Sequence, residues 1–259
     1  MPSDWNPALY LRFADERTRA AQDLLARVPL AEPARVVDLG CGPANSTELL
    51  VQRFPSANVL GMDSSPAMVE EARQRLPRCA FELGDVATWQ PSVAPDVLFA
   101  NALLQWVPGH EALFPRLFSM LAPGGVLAVQ MPDNLEEPSH RLMREVAMDG
   151  PWASAIGDAA RLRAPILSLD RYYDLLAPSA KQVDVWCTTY QHVMGSPRAI
   201  VSWLQATGLR PFVERLNDEQ RAGFLAEYER RLTQAYPQRV DGQLLFAFPR
   251  LFVVAQRRA

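Results

Sequence analysis

The pattern of apolar and polar positions divides the chain into a regular central part and less regular flanks. From about residue 33 to 131, short β-rich runs alternate with segments of helical length. This alternation predicts βαβ units, a parallel sheet and right-handed crossovers. The predicted strands are Arg35–Leu39, Ala57–Met62, Cys79–Leu83, Asp96–Ala100 and Val126–Met131, and the predicted helices are Asn45–Phe54, Pro66–Leu76 and His110–Leu121.

The flanks are mainly helical. Asn6 and Pro7 are typical of a helix start, and the helix they open is expected to reach about Val28. After the centre, the spacing predicts helices at Leu135–Met148, Ser168–Leu176, Pro197–Thr207 and Asp218–Tyr236, and strands at Gln182–Tyr190 and Gln243–Gln256. Because Pro249 has no amide hydrogen to donate, it predicts a bulged or edge position for the last strand.

These patterns predict one domain over residues 1–259 with a ligand-binding core at 33–131. The helical segments 133–178 and 196–240 look like insertions. They are expected to cover the ligand edge of the sheet or, equally well, to form a packing layer.

Polar side chains stand where the predicted strands end. Asp38, Asp63, Asp85 and Asn101 lie at or just past the ends of four successive strands. Ligands of open α/β sheets bind at the carboxyl ends of the strands, near the switch in strand order. Four such positions together predict a ligand site at this edge.

The loop after the first strand indicates which ligand. Gly40 and Gly42 let the backbone turn sharply and approach a ligand closely. Asp63, about 20 residues on, also suits a dinucleotide, but Asn45 replaces the third glycine of that fingerprint. Asp38 beside the loop would repel a pyrophosphate, whereas it would attract the ammonium and sulfonium of S-adenosylmethionine (SAM). The charge of the loop therefore favours SAM.

Roles for the strand-end residues follow from that cofactor. Asp38 is expected to orient the loop and the amino end of the methionine moiety, and Asp63 to accept both ribose hydroxyls. Asp85 and the backbone of Val86 would meet the adenine amino edge, with Ser64 and Met68 on the adenine faces. The simpler alternatives are that Asp63 caps the helix opened by Pro66 and that Asp85 only forms a turn.

Three segments resemble the successive motifs of class I SAM-dependent methyltransferases. They are Val36-Val37-Asp38-Leu39-Gly40-Cys41-Gly42, Gly61-Met62-Asp63-Ser64-Ser65-Pro66-Ala67-Met68 and Leu121-Ala122-Pro123-Gly124-Gly125-Val126-Leu127. Further segments resemble one bacterial branch of that family, which esterifies a small tricarboxylate. These are Asp4–Leu11, Phe99–Trp106, Val129–Asn134, Ala206–Pro211 and Ala247–Phe252. Ala44 departs from the pattern, because many members have glycine there.

The resemblance implies a Rossmann-like α/β sheet, mostly parallel with one antiparallel strand, flanked by helices. It implies SAM as cofactor, S-adenosyl-L-homocysteine (SAH) as product, no metal, and transfer of a methyl group to a carboxylate. The implied cofactor residues are Trp5, Asp38, Gly40, Cys41, Gly42, Asp63, Ser64, Met68, Asp85, Val86 and Asn101. A carboxylate is already ionised at neutral pH, so we expect no catalytic base, only positioning by Tyr10, Gln105 and Trp106.

The composition narrows the acceptor site. Lys181 is the only lysine among 26 basic residues, so an anion must be held by arginine, which grips carboxylates with two parallel bonds. The candidates are Arg17, Arg144, Arg171 and Arg198, with Tyr172, Tyr173 and His192 as polar or aromatic walls. His110 and His140 are expected at the surface. The alternatives are another small or acyl carboxylic acid as acceptor, or a SAM-binding module without catalysis.

Charge and cysteine content exclude other classes of partner. The net charge of −3, with both signs mixed, gives no footprint for nucleic acid or an anionic membrane. Cys41, Cys79 and Cys187 show no metal-binding spacing and suit a reducing compartment. Without a signal peptide or a long apolar run, the chain is expected to be cytoplasmic.

Overall fold

A seven-stranded sheet forms the frame of the protein. The computed structural model describes residues 14–205 and 207–259. The strands are β1 (Arg35–Leu39), β2 (Asn58–Asp63), β3 (Ala80–Leu83), β4 (Val97–Asn101), β5 (Val126–Pro132), β6 (Ala180–Met194) and β7 (Leu244–Arg257). Their order is β3-β2-β1-β4-β5-β7-β6. Strands β1 to β5 pair in parallel and β7 pairs antiparallel with β5, which confirms the predicted fold class.

Helices connect and flank these strands. They are α1 (Ala14–Leu25), α2 (Asn45–Arg53), α3 (Pro66–Arg75), α4 (His110–Ser119), α5 (Pro138–Met148), α6 (Ala153–Ile156), α7 (Leu169–Leu176), α8 (Pro197–Gln205), α9 (Arg210–Val213) and α10 (Asp218–Ala235). Two 3₁₀ turns lie at Leu104–Trp106 and Ala159–Arg161. The four-residue helices α6 and α9 and both 3₁₀ turns were not predicted, because segments this short carry too few periodic positions.

The chain forms two compact units. The first, here the sheet unit, comprises residues 14–132, Ile166–Thr188 and Arg250–Ala259, and the second, the helical unit, comprises Asp133–Pro165 and Thr189–Pro249. Residues 166–178 therefore belong with the sheet rather than with an insertion. The reason is packing: Tyr172 of α7 contacts Phe114 of α4, with ring centroids 4.5 Å apart.

The core of the sheet unit lies on one face of the strands. It is formed by alternate residues of the central strands, such as Leu39, Ala100, Val129 and Val253, with α4 and α7 packed on them. On the opposite face, a smaller cluster forms around Cys41, Ala44 and Phe81.

The helical unit has its own aromatic core. Trp152 packs edge-on against Phe224 of α10, and the Tyr228 hydroxyl donates to the Ser139 carbonyl of α5 over 2.8 Å. His192 lies 4.7 Å from the Trp203 ring. These contacts give the segment after residue 132 a packing role of its own.

The last strand corrects one prediction. Strand β7 lies between β5 and β6, so the edge position expected from Pro249 is wrong. The register with β5 begins at the pair Pro132–Arg250, one residue after Pro249, and the Pro249 carbonyl accepts from the Asp133 amide over 3.0 Å. Proline is tolerated here because β5 does not require a donor from it.

Candidate cofactor site

The glycine loop after β1 turns back under the neighbouring strand. The amides of Gly40 and Cys41 donate to the Met62 carbonyl over 2.7 and 3.0 Å. Gly40 has φ +65°, and a Cβ atom there would lie 2.6 Å from the Leu103 side chain. Position 40 therefore needs glycine both for its backbone conformation and for space.

Ala44, at the start of α2, is a residue in the same left-handed region, with φ +69°. The family's glycine suits that conformation better than alanine does. Ala102, just after β4, is left-handed as well, with φ +56°. No pattern in the sequence signals it.

Asp63 joins the loop to the second strand. Its Oδ2 accepts from the Gly42 amide and its Oδ1 from the Ser65 amide, both over 2.9 Å. A carboxylate oxygen can accept more than one hydrogen bond, so these two amides alone do not use the full acceptor capacity of the side chain. The cap of α3 is Ser65, whose hydroxyl accepts from the Met68 amide. The alternative that Asp63 is itself the cap is therefore wrong.

A cavity of about 260 Å³ opens in front of this loop, in the sheet unit. Eight of the expected cofactor residues line it: Gly40, Gly42, Asp63, Ser64, Met68, Asp85, Val86 and Asn101. The other lining residues are Pro43, Met62, Gly84, Ala102, Leu103, Trp106 and Val107. The carboxyl ends of β1, β2, β3 and β4 thus meet around one space.

Asp85 stabilises a turn and also lines the cavity. Its Oδ1 accepts from the Ala87 amide over 2.9 Å, which fixes the carboxylate at the exposed rim of the cavity. The turn interpretation and the ligand interpretation are therefore compatible. Apolar surface beside it comes from Met68 and Val86, both almost fully buried.

Asp38 is placed differently from the other acids. It is fully buried and lies behind the loop, where its Oδ2 accepts from the hydroxyls of Ser46 and Thr47, each over 2.7 Å. Its Oδ1 has no hydrogen-bond partner among the described residues. Burial raises the pKa of Asp38 to about 7, against the lowering effect of the two hydroxyls.

We expect Asp38→Asn to change the pH dependence of stability. The pKa of this carboxyl is 3.8 in the unfolded chain and about 7 in the folded one. The folded state therefore binds more protons between these values, so the free energy of unfolding falls as pH rises through them, by about 4 kcal/mol in total.

The measurement is urea unfolding of both proteins at several pH values in that window. The variant should lose this decrease and become relatively more stable toward neutral pH. Equal slopes for the two proteins would contradict the assignment. The two proteins must be compared because His140, whose pKa is lowered on folding, makes the free energy of unfolding rise with pH instead of fall.

The remaining cofactor and positioning residues are dispersed. Cys41 is buried and lines a cavity of about 20 Å³ on the other side of the loop, with Asn101 and Ser46. The Gln105 amide nitrogen donates one of its two hydrogens to the Ala102 carbonyl over 2.6 Å, which fixes the orientation of the side chain. Trp5 and Tyr10 lie outside the described residues.

The expected acceptor residues are scattered over both units. Arg144 donates to the Leu135 carbonyl and pairs with Glu136, Arg171 and Arg198 are exposed, and the side chain of Arg17 lies outside the described part. Tyr173 is exposed and His192 is buried. The structure does not group these side chains within either unit.

Three expectations about individual side chains are corrected. Tyr172 is fully buried, and its hydroxyl lies 2.6 Å from His110 Nδ1 and accepts from the Leu167 amide, so it packs in the core rather than lining an acceptor wall. His110 and His140 are buried, not exposed. Burial and two nearby arginines lower the pKa of His140 to about 3, so it is neutral near pH 7.

The helical unit contains a cation that sequence inspection did not single out. Arg163 donates to the Asn134 side-chain oxygen over 3.0 Å. Burial lowers its pKa to about 10, while the charge of Asp133 acts in the opposite direction. Nothing in the sequence around Arg163 distinguishes it from the other arginines, since its burial depends on contacts with residues about 30 positions away.

Residues 14–205 and 207–259 contain no group of three or more His, Cys, Asp or Glu side chains arranged to hold a metal ion. Within the same residues, no helix combines the length and the apolarity needed to cross a membrane.

Comparison with known proteins identifies the class. The family described as "Methyltransferase domain" matches residues 36–125, which contain the glycine loop, Asp63 and Asp85. A solved structure, the YcgJ protein from Bacillus subtilis, shares the fold with a TM-score of 0.59 at 12% identity, over 93% of this chain and 99% of that one. The chain is a SAM-dependent methyltransferase enzyme.

Full-length relatives specify the family. The chain is 65% identical to the trans-aconitate 2-methyltransferase of Variovorax paradoxus over 99% of both chains. It is 64% identical to the enzyme of that name from Paracidovorax citrulli, again over 99% of both chains. The chain therefore belongs to the trans-aconitate 2-methyltransferase family.

Proposed function

We propose that this enzyme transfers a methyl group from SAM to a carboxylate of trans-aconitate, giving the monomethyl ester and SAH. The observation that carries this proposal is the identity of 65% over 99% of both chains to a relative of that name. Identity at this level runs through the segments outside the general methyltransferase motifs, which are the ones expected to determine the acceptor.

We further propose that the 260 Å³ cavity is the SAM site. Asp63 would accept from the ribose hydroxyls, since it lines the cavity and the amides of Gly42 and Ser65 fix its orientation. Asp85 would accept from the adenine amino group, between the apolar side chains of Met68 and Val86. The steric cradle at Gly40 supports this fit, because any side chain there would collide with Leu103.

The charge near the loop suits the same cofactor. Asp63 contributes negative charge beside Gly42 and raises the cost of bringing a phosphate to the loop. Asp38 contributes less, because burial raises its pKa to about 7 and the carboxyl is only partly ionised at neutral pH. The Asn101 side chain adds a buried oxygen with no partner among the described residues. A ligand with an ammonium group can donate to it.

Catalysis on this proposal is positioning and exclusion of water. The cofactor supplies an electrophilic methyl group on a sulfonium, and the acceptor supplies a carboxylate that is already ionised, with a reference pKa near 4. The protein then has to hold the carboxylate in line with the methyl group and remove its water. Trp106 lines the cavity, and on this proposal it covers the reacting groups from one side.

The absence of a base predicts a flat pH profile. With SAM and trans-aconitate both saturating, kcat should vary less than about threefold between about pH 6 and 8, because no proton is removed in the transition state. The check is a pH series of initial rates. A limb rising tenfold per pH unit, and abolished by replacing one histidine, would show that a base takes part.

An acceptor screen tests the substrate. Transfer of label from SAM is compared for trans-aconitate, cis-aconitate, isocitrate, malonate and a long-chain fatty acid. We expect trans-aconitate to give the highest kcat/KM. A higher value for the fatty acid or for malonate would assign the enzyme to a different carboxylic acid.

The acceptor-binding side chains remain predictions. Arg17, Arg144, Arg171 and Arg198 are the arginines first expected to hold the tricarboxylate, with Tyr173 and His192 beside them. We keep Trp106 and Tyr10 as positioning candidates. We keep Gln105 as well, since its amide nitrogen bonds to the Ala102 carbonyl with only one of its two hydrogens.

A further inference from the structure

A row of four polar side chains, three of them buried, crosses one face of the sheet near its carboxyl edge. Side chains alternate between the two faces of a strand, and Leu39, Ala100, Met131 and Leu251 point into the main core. The residues next to them in sequence therefore share the opposite face. These are Asp38 on β1, Asn101 on β4, Gln130 on β5 and Arg250 on β7.

The strand register brings the last three together. Asn101 lies directly opposite Gln130. Gln130 lies opposite Phe252, so Arg250 is two residues along β7 from that pair, toward the carboxyl edge of β5. All three side chains belong to the sheet unit.

Arg250 is buried, with only 3% of its surface exposed. Its Nη1 donates to the Gln130 side-chain oxygen over 2.9 Å. A guanidinium can only donate hydrogen bonds, so the amide of Gln130 must turn its oxygen toward Arg250. The orientation of this amide is thereby fixed.

With its oxygen turned toward Arg250, the Gln130 amide directs its NH₂ group, a hydrogen-bond donor, into the protein interior. Gln130 is fully buried, and its Nε2 has no hydrogen-bond partner among the described residues. An unmade bond of a buried donor is unfavourable unless a ligand completes it. A guanidinium and an adjacent amide NH₂ together match the two oxygens of a carboxylate.

The position of this pair separates it from the cofactor cavity. The described residues that line that cavity come from β1 to β4 and the segments after them, and none comes from β5 or β7. Asn101, the strand neighbour of Gln130, lines the cavity on its nearer side. A carboxylate at Gln130 and Arg250 would therefore lie one strand away from the cavity proposed for the cofactor, on the side where an acceptor is expected.

We propose that Arg250 and Gln130 bind a carboxylate of the acceptor, one that is not methylated. This inference rests on the proposed function, because a tricarboxylate has two carboxylates left when one receives the methyl group. It also explains why Arg250 follows Pro249 in a segment that resembles the family outside its general motifs. The fork of arginine is required here, because it bonds to Gln130 and to the ligand at once.

The test uses Gln130→Glu and Gln130→Met. Gln130→Glu gives Arg250 a charged partner and places a carboxylate where the carboxylate of the ligand should bind. Gln130→Met removes the hydrogen-bond donor at nearly equal side-chain volume. We expect the dissociation constant of trans-aconitate, measured on the protein–SAH complex, to rise at least about 30-fold in Gln130→Glu and about tenfold in Gln130→Met. The affinity for SAM should change less than about twofold.

Arg257→Gln is the matched control, since Arg257 stands at the other end of β7 and donates to the Ser119 carbonyl. It should leave both affinities unchanged. Crotonate, which has one carboxylate, supplies a further readout, because its kcat/KM should be equal in wild type and Gln130→Glu. A general structural defect would lower kcat/KM for trans-aconitate and for crotonate alike, and that result would overturn the proposal.

The remaining outcomes separate this inference from the proposed function. Weaker SAM binding with unchanged trans-aconitate binding would assign the pair to the cofactor's own carboxylate and overturn the proposal. Unchanged trans-aconitate binding in both variants would do the same, while turnover by wild type would leave the proposed function intact. Normal binding of trans-aconitate by wild type without turnover would instead reject the proposed function, and weaker binding in the two variants would then still assign the pair to a ligand carboxylate.

Discussion

Asp63→Ala should weaken SAM binding by at least about 100-fold. The carboxylate is expected to accept both ribose hydroxyls, and hydrogen bonds to a charged acceptor contribute about 1.5–3 kcal/mol each. Its loss also frees the Gly42 and Ser65 amides that now donate to it over 2.9 Å, so the loop loses its link to β2. The measurement is calorimetric titration with SAM and with SAH.

The control for charge is Glu70→Ala, because Glu70 is exposed on α3, outside the cavity. It should bind SAM like wild type. Asp63→Asn should fall between Ala and wild type, since it keeps one acceptor oxygen. A folded Asp63→Ala protein with SAM affinity within threefold of wild type would remove Asp63 from the cofactor site.

Gly40→Ala should remove most of the SAM affinity by a steric route. The left-handed backbone at φ +65° costs an alanine about 1–2 kcal/mol. The new methyl would also lie 2.6 Å from Leu103, whose side chain lines the cavity and would have to move. We expect at least a 30-fold loss of SAM affinity, about 2 kcal/mol, and a lower midpoint of thermal unfolding.

Two further variants separate strain from space. Gly124→Ala has the same kind of strain at φ +77° but no atom within 4 Å of the new methyl, so it should lower stability without changing SAM affinity. Gly40→Ala combined with Leu103→Ala removes the collision and should recover part of the affinity. No recovery in the double variant would mean that the backbone conformation alone matters at position 40.

The central strands of the sheet could be predicted from the sequence because the signals that mark them are local. The strands β1, β2, β3, β4 and β5 were predicted within about a residue at each end, since each is a short apolar run closed by a polar residue or glycine. The same polar residues marked the site. Asp63 and Asp85 meet at one cavity because parallel strands all end at the same edge.

The acceptor-binding residues could not be predicted from local sequence signals in the same way. A buried arginine–amide pair joins Arg250 to Gln130, which are 120 positions apart. Only the register of β5 with β7 brings them together, and Pro249 had suggested an edge strand instead. Conversely, Tyr172 looked like a ligand residue because it is aromatic and polar, but its hydroxyl is used inside the core by His110 and Leu167.

Asp38 shows a different limit of sequence inspection. Its position in the loop motif predicted that it orients the loop and the amino end of the methionine moiety. The structure instead buries it against Ser46 and Thr47, so its effect on a ligand would be electrostatic rather than a contact. Burial depends on the helix that packs over the strand, and the sequence does not contain that information locally.

The most direct test of the proposed function is the fate of the transferred methyl group. Purified enzyme is incubated with methyl-labelled SAM and trans-aconitate, and the product is analysed by mass spectrometry before and after alkaline hydrolysis. We predict a singly methylated trans-aconitate that releases labelled methanol in base and leaves unlabelled trans-aconitate. A product that keeps its label in base, or no labelled trans-aconitate while another carboxylic acid is methylated, would contradict the proposal.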